Sequence, residues 1–268
     1  MPEAQDNDNP AIRLRIQDGI AHVTLNRPDQ GNSIEENFID AFEAVTLELA
    51  EHRGIRALLI DSTGPRFSVG GDIRSESSNL ELLSRNVRRW NASLNASVAR
   101  LARMDAPSVV AVQGVVAGGA LSIISGCDII VAADTARFVA AYATIGYCPD
   151  LGGTTGMARR LGVARARRFY LLHEQLDAQA AGELGMVDFV LPAQEVAPKA
   201  LDIAKLWASG PTLAYAEIRR LMHSAGHTPL EAQMENETRG IAQLARSEDA
   251  HLALRAFLSK ETPTYNGR

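Results

Sequence analysis

The chain has 268 residues, 46% of them hydrophobic and 22% charged, with a net charge of −5. A chain of that size can bury a full core as one large domain, or one domain with an appendage. The acidic balance argues against general nucleic-acid binding, two cysteines are too few for a disulfide framework, and no uncharged apolar run has the length of a membrane span.

Residues 1–10 read as a polar, disordered tail without the basic start and apolar stretch of a signal peptide, so a cytoplasmic location is expected. Ile12 to Leu25 holds two strand-like runs around Asp18-Gly19, a hairpin signal. Ser33, with Glu36 three residues on, reads as the capping box of a helix carrying Phe38, Phe42, Val45 and Leu49. Ile55 to Ile60 is a short apolar strand. A Gly-rich loop over Ser62 to Ile73 precedes a helical stripe of Leu83, Val87, Trp90, Leu94, Val98 and Leu101, stopped before Pro107.

Ser108 to Val112 is an apolar strand, and Gly118-Gly119 opens a short helix reaching about Ser125. Strands follow at Ile129 to Ala133 and Arg137 to Val139. A further Gly-rich loop, Gly146 to Thr155, leads into helices near 155–160, 164–172 and 178–184. Val187 to Leu191 is a last strand, and everything beyond about Glu195 is helical, with breaks at Gly210-Pro211 and Gly226 to Pro229. Alternating elements followed by helices alone predict an α/β core, residues 11–200, with a helical C-terminal part, residues 201–268.

Two glycine-bearing turns stand out, Arg66 to Ile73 and Gln113 to Ala120. Glycines let the backbone turn sharply and approach a ligand, and a helix N-terminus offers unpaired N–H groups. Two such donors aimed at one oxygen stabilise charge developing there. Both turns also fit as purely structural ones. Neither matches a dinucleotide fingerprint or a phosphate-binding P-loop.

In chain order, the stretches from His22 to Pro28, Phe67 to Ile73, Gln113 to Asp134, Pro149 to Thr154 and Phe257 to Arg268 resemble the crotonase (enoyl-CoA hydratase/isomerase) superfamily. The resemblance implies a spiral of ββα units, acyl-CoA thioester substrates with coenzyme A as part of the substrate, no tightly bound cofactor, and a homotrimer or dimer of trimers built through the C-terminal helices. It implies that the N–H groups of Val69 and Gly119 hold the thioester oxygen. It places coenzyme A contacts near Asn26, Arg27, Gly71 and Asp72, and near Phe257 and Lys260, the last two reaching a neighbouring subunit.

Hydratases of that superfamily hold water with two glutamates, whose places fall here on Ser122 and about Tyr142. Neither is a general base near neutral pH. The Pro149-Asp150-Leu151-Gly152-Gly153-Thr154 run is similar to members that move double bonds, with an aspartate as acid/base. The reading is therefore an enoyl-CoA isomerase taking 3-enoyl to 2-enoyl thioesters with Asp150 as sole base. A hydratase-type lyase on an unusual acyl-CoA is the alternative, and a non-catalytic or RNA-binding relative the second alternative.

Asp150 also fits as an N-cap for the helix near Gly152. Ser122 and Tyr142 are expected in the substrate pocket, Tyr142 by packing or through its hydroxyl. Asp72 reads best as tying its own loop, and Cys148 as a small buried hydrophobe. No metal is expected: the six histidines are scattered, and Gly226 interrupts the spacing of His223 and His227. The basic run of Arg159, Arg160, Arg165, Arg167 and Arg168 reads as a solvated helix face. The variable segment from Ser75 to Asn86 and the C-terminal helices are expected to shape the acyl pocket.

Overall fold

A computed structural model describes residues 10–76 and 80–268. The N-terminal tail up to residue 9 and residues 77–79 of the variable segment lie outside the described residues.

The chain opens with β1 (Ile12–Gln17) and β2 (Ile20–Leu25), antiparallel and in register from Ile12 against Leu25 to Gln17 against Ile20. Asp18 and Gly19 both take positive φ, 53° and 77°, as a two-residue primed turn requires. Next comes α1 (Glu36–Glu51), which buries Phe38, Ile39, Phe42, Val45 and Leu49 on one stripe. It starts later than the expected Ser33 cap. Glu35 stands at the N-cap position, because Ile34 is drawn into a parallel bridge with Gly71.

From there the chain climbs in turns of two strands and a helix. The first turn is β3 (Ala57–Ser62), β4 (Arg66–Ser68), α2 (Ile73–Glu76) and α3 (Leu80–Arg103). The second is β5 (Ser108–Val112), β6 (Val115–Ala117) and α4 (Gly118–Ser125). The third is β7 (Ile129–Ala133), β8 (Arg137–Val139), α5 (Gly153–Leu161) and α6 (Val163–Leu171). Then β9 (Gln175–Asp177), α7 (Ala178–Glu183) and β10 (Phe189–Leu191) close the spiral.

Two sheets result. One runs β1-β2-β3-β5-β7-β10, parallel from β2 onward; the other runs β4-β6-β8-β9, with β9 antiparallel. This is the ββα spiral that the sequence implied.

The central strands β3, β5 and β7 of the larger sheet are buried on both faces, which is why they read as apolar runs. Leu58, Ile60, Val110, Val112 and Ile130 point into the main core. Their neighbours Ala57, Leu59, Val109, Ala111 and Val131 meet α8 (Ala193–Ala208) through Val196, Ala200 and Ala204. Each fully buried aliphatic side chain here contributes roughly 1.5–3 kcal/mol.

The expected division at 200/201 therefore falls inside a continuous helix. Ala204 sits in the same cluster as Val196, so the core extends through α8 and the chain leaves it at the Gly210-Pro211 turn. Arg56 pins that turn, donating to Gly210 O at 2.6 Å and Thr212 Oγ1 at 3.1 Å. Three helices finish the chain: α9 (Thr212–Ala225), α10 (Leu230–Leu244) and α11 (Glu248–Ser259).

Candidate active site

A largely apolar cavity of about 720 Å³ lies where α3 faces the starts of α4 and α5. Leu83, Val87, Trp90 and Leu94 of α3 form one wall, the same stripe that gave the helix its periodicity. Leu80 and Ser84 from the variable segment also line it. The opposite side holds Gly71, Gly118 and Gly119, then Tyr142, Asp150 and Leu151.

The two Gly-rich turns meet here. Gly70 has a φ of 81°, and a Cβ on it would lie 2.7 Å from the carbonyl oxygen of Ala117, so only glycine fits. That contact places Gly71, one residue past Gly70, and Gly119, two residues past Ala117, in the same cavity wall.

The amides of the first turn are unequal. Val69 N donates to Gly31 O at 3.0 Å, and Gly70 N to Ser68 Oγ at 3.2 Å. In the bridge to Ile34, Ile34 N donates to Gly70 O at 2.8 Å and Asp72 N to Ile34 O at 3.3 Å. Residues flanking a parallel bridge face the partner strand, so the amide between them faces away. Gly71 N is that amide, and it has no hydrogen bond among the described residues. The expectation for Val69 is thus corrected: its amide is spent inside the protein on Gly31 O, although the residue still lines the cavity. Gly119 stands where expected, second in α4, in a first turn whose amides lack intrahelical partners and have no side-chain cap.

Asp150 lies at the far end of the wall. Leu151 and Gly152 turn the chain with φ of 49° and 76°, and Gly152 takes the N-cap position of α5 with no side-chain cap bond. It is the main-chain oxygen of Asp150 that meets Gly153 N, at 2.8 Å. The carboxylate is not consumed by the helix. Its Oδ1 accepts the Tyr142 hydroxyl at 3.0 Å, and that hydroxyl meets Ser122 Oγ at 2.7 Å. Tyr142 and Ser122 are both buried. Burial first, then the negative charge of Asp150, push the Tyr142 phenol well above its ordinary value of 10.0, so it remains a neutral donor.

Tyr170 of α6 carried no signal in the sequence, yet it backs the site. Its ring sits edge-on to Tyr142 with centroids 6.2 Å apart, and its hydroxyl donates to Gly153 O at 3.2 Å. Burial raises this phenol as well.

Other expected residues lie elsewhere. Asn26 is buried, donates from its side chain to Pro10 O at 3.1 Å, which anchors the N-terminal segment, and does not line the cavity. Asp72 does what its loop position suggests: its Oδ1 accepts from Arg74 N at 3.1 Å. Arg27 lies 3.5 Å from Glu35 in an ion pair and does not line the cavity. Phe257 and Lys260, at the end of α11, are exposed and are not among the residues lining the cavity of their own chain.

Cys148 is exposed at the cavity rim, and the buried thiol is Cys127, pushed up to about 12 chiefly by burial. Arg160 of the basic run is structural, donating to Cys127 O at 2.5 Å and Met186 O at 3.1 Å and pairing with Asp188. Among the described residues no group of three or more His, Cys, Asp and Glu side chains could hold a metal ion, and no helix is long and apolar enough to cross a membrane.

Comparison with known proteins agrees with this architecture. The family model for enoyl-CoA hydratase/isomerase matches residues 15–268. The 1,2-epoxyphenylacetyl-CoA isomerase of Escherichia coli (strain K12) is 33% identical over 262 residues, covering 96% of this chain and 98% of the relative. The 2,3-dehydroadipyl-CoA hydratase of the same organism is 28% identical over 252 residues, covering 94% and 97%. The crystal structure of an enoyl-CoA hydratase from Polaromonas sp. JS666 superposes with a TM-score of 0.89 at 27% identity, over 95% of this chain and 99% of that one. Spiral, cavity and relatives together establish that this chain belongs to the enoyl-CoA hydratase/isomerase family, the crotonase superfamily that its sequence resembles.

Proposed function

We propose that the protein is an enoyl-CoA double-bond isomerase that converts 3-enoyl to 2-enoyl thioesters. The observation that carries this reading is the single carboxylate of Asp150, unspent by its helix and set in an apolar cavity beside two glycine amides. Gly71 N and Gly119 N are the oxyanion donors in this reading. Each contributes roughly 3 kcal/mol as the thioester oxygen takes up charge. Asp150 removes a proton from C2, and the electron pair spreads into a dienolate. The carboxylic acid then returns a proton at C4. One proton moves and no net electrons, so the reaction requires no redox cofactor.

Acyl-CoA is the substrate class proposed. Arg27 on one protomer, with Phe257 and Lys260 of another, are the proposed contacts for coenzyme A in a homotrimer or dimer of trimers. The relative named as a 2,3-dehydroadipyl-CoA hydratase keeps hydration of an unusual acyl-CoA as the second reading. Here, however, Ser122 and Tyr142 are bonded to each other and supply no base.

The test is a spectroscopic assay on paired 2- and 3-enoyl-CoA isomers. Conjugation without addition of water is the expected result, and Asp150→Asn lowers kcat by about 1,000-fold with little change in KM. Full turnover in Asp150→Asn, or uptake of water as the main reaction, overturns the proposal.

A further inference from the structure

We propose that Ser122 and Tyr142 form a hydroxyl relay that positions the Asp150 carboxylate so that one of its oxygens carries the proton between the two carbons. This inference rests on the isomerase reading above.

The direction of the relay follows from what each group can do. A carboxylate only accepts, so at 3.0 Å Tyr142 donates to Asp150 Oδ1. The phenol has one proton, and it is now used. At 2.7 Å from the same phenolic oxygen, Ser122 must therefore be the donor. The chain runs Ser122 to Tyr142 to Asp150, and each link strengthens the next by polarising it.

The relay is held at both ends by the fold. Ser122 lies on α4, where a Cβ on Gly153 would come within 2.1 Å of its Oγ. The absence of that atom lets α5 close onto α4 and brings Asp150, three residues earlier, within reach of Tyr142. Tyr170 packs its ring edge against Tyr142 and ties its own hydroxyl to Gly153 O, bracing the phenol ring against the start of α5. Among the described residues Oδ2 of Asp150 has no hydrogen bond. The tethered oxygen is thus Oδ1, and the one left for substrate is Oδ2.

The consequence for chemistry is geometric. The C2–H bond breaks as the Oδ2–H bond forms. After the double bond shifts, the Oδ2–H bond breaks as the C4–H bond forms. A carboxylate pinned through Oδ1 can pivot Oδ2 along one face of the dienolate without turning towards solvent. The same proton then tends to return. Ser122 and Tyr142 touch neither carbon in this scheme and are positioning residues.

The experiment compares Tyr142→Phe, Ser122→Ala, the double variant and Asp150→Asn, each assayed with 3-enoyl-CoA in deuterium oxide. Tyr142→Phe is expected to lower kcat by about 100-fold, the scale of a misplaced catalytic group, while KM stays within a few-fold. The fraction of product carrying deuterium at C4 is expected to rise, because an untethered acid exchanges before it returns its proton. Ser122→Ala is expected to move both readouts in the same direction by less. The double variant is expected to match Tyr142→Phe, since Ser122 acts only through the phenol.

Wild-type kcat and deuterium content in Tyr142→Phe, or effects of the two substitutions that multiply independently, overturn the relay. Loss of turnover in Asp150→Asn beside an unaffected Tyr142→Phe defeats the relay alone. Full turnover in Asp150→Asn defeats the isomerase reading itself. Ser122→Ala removes only an oxygen, so it keeps the comparison readable should Tyr142→Phe fold poorly.

Discussion

Gly153 has no side chain because Ser122 stands where one would be. A methyl group there would lie 2.1 Å from Ser122 Oγ and 2.9 Å from its Cβ, closer than packed atoms approach. Gly153→Ala is therefore expected to destabilise the fold by about 1–3 kcal/mol, the usual cost of overpacking a tight contact. Turnover should fall by more than the lost stability explains, because relieving the clash moves Ser122 or Asp150. Thermal melting beside kcat on folded protein separates the two effects; unchanged turnover in a melted-down variant would contradict this account. Tyr142 adds a statement about pH. Burial and the Asp150 charge raise its pKa, so the donating form persists as pH rises through 10.0, its ordinary value. Wild-type kcat is expected to show no alkaline break belonging to Tyr142. A break below pH 10.0 that vanishes in Tyr142→Phe would be the contrary result.

At the scale of elements, legibility followed the strength of the local pattern. The helix from Gly118 to Ser125 and the strands Ile129–Ala133 and Arg137–Val139 have the boundaries that glycine and apolar runs suggest. The strands β4 and β6 escaped because they lie inside the two Gly-rich turns, and β9 because Gln175-Leu176-Asp177 holds a single apolar residue. The candidate site divided in the same way. Asp150 and Gly119 could be read from local runs. The choice of Gly71 over Val69 could not, because it depends on a bridge from Ile34, a residue 37 positions away in sequence. Tyr170 was hidden for a similar reason: its partners come from α5 and the loop before it.

Long-range ties also decide how α9 is held. Arg219 is buried, with Nε 2.8 Å and 3.0 Å from the two Asp128 oxygens, and it donates to the Met104 carbonyl as well. Asp128 in turn accepts from Ser108 N at 2.7 Å at the head of β5. Arg219→Ala should cost about 3 kcal/mol, the penalty for breaking a buried pair from one side. Arg239→Ala removes an exposed pair with Glu235 and should cost about 0.5 kcal/mol or less. Chemical denaturation of both variants checks this contrast; equal losses would show that the Arg219 pair does not anchor α9.

The molecule as a whole leaves an apolar face on its last helices. Met222, Leu230, Ile241, Leu254, Phe257 and Leu258 are each more than 60% exposed, and the last three share one short helix. A soluble monomer rarely shows so many large apolar side chains on adjoining elements, and burying them is the natural use for such a surface. A homo-oligomer is expected, with α11 in the interface and Phe257 and Lys260 brought beside a neighbour's cavity. Phe257→Asp combined with Leu258→Asp places two charges in that contact, where neither finds a partner. Sedimentation should then show smaller species than the wild type at equal concentration. If the interface also completes the coenzyme A site, KM for the thioester should rise by about 10-fold or more, the loss of one well-packed anchor. The cavity, the two amides proposed as oxyanion donors and Asp150 all lie within one chain, so kcat at saturation should change far less than KM. A wild-type protein that sediments as a monomer at every concentration, with undiminished affinity for acyl-CoA, removes α11 from the site and leaves its apolar face without this explanation.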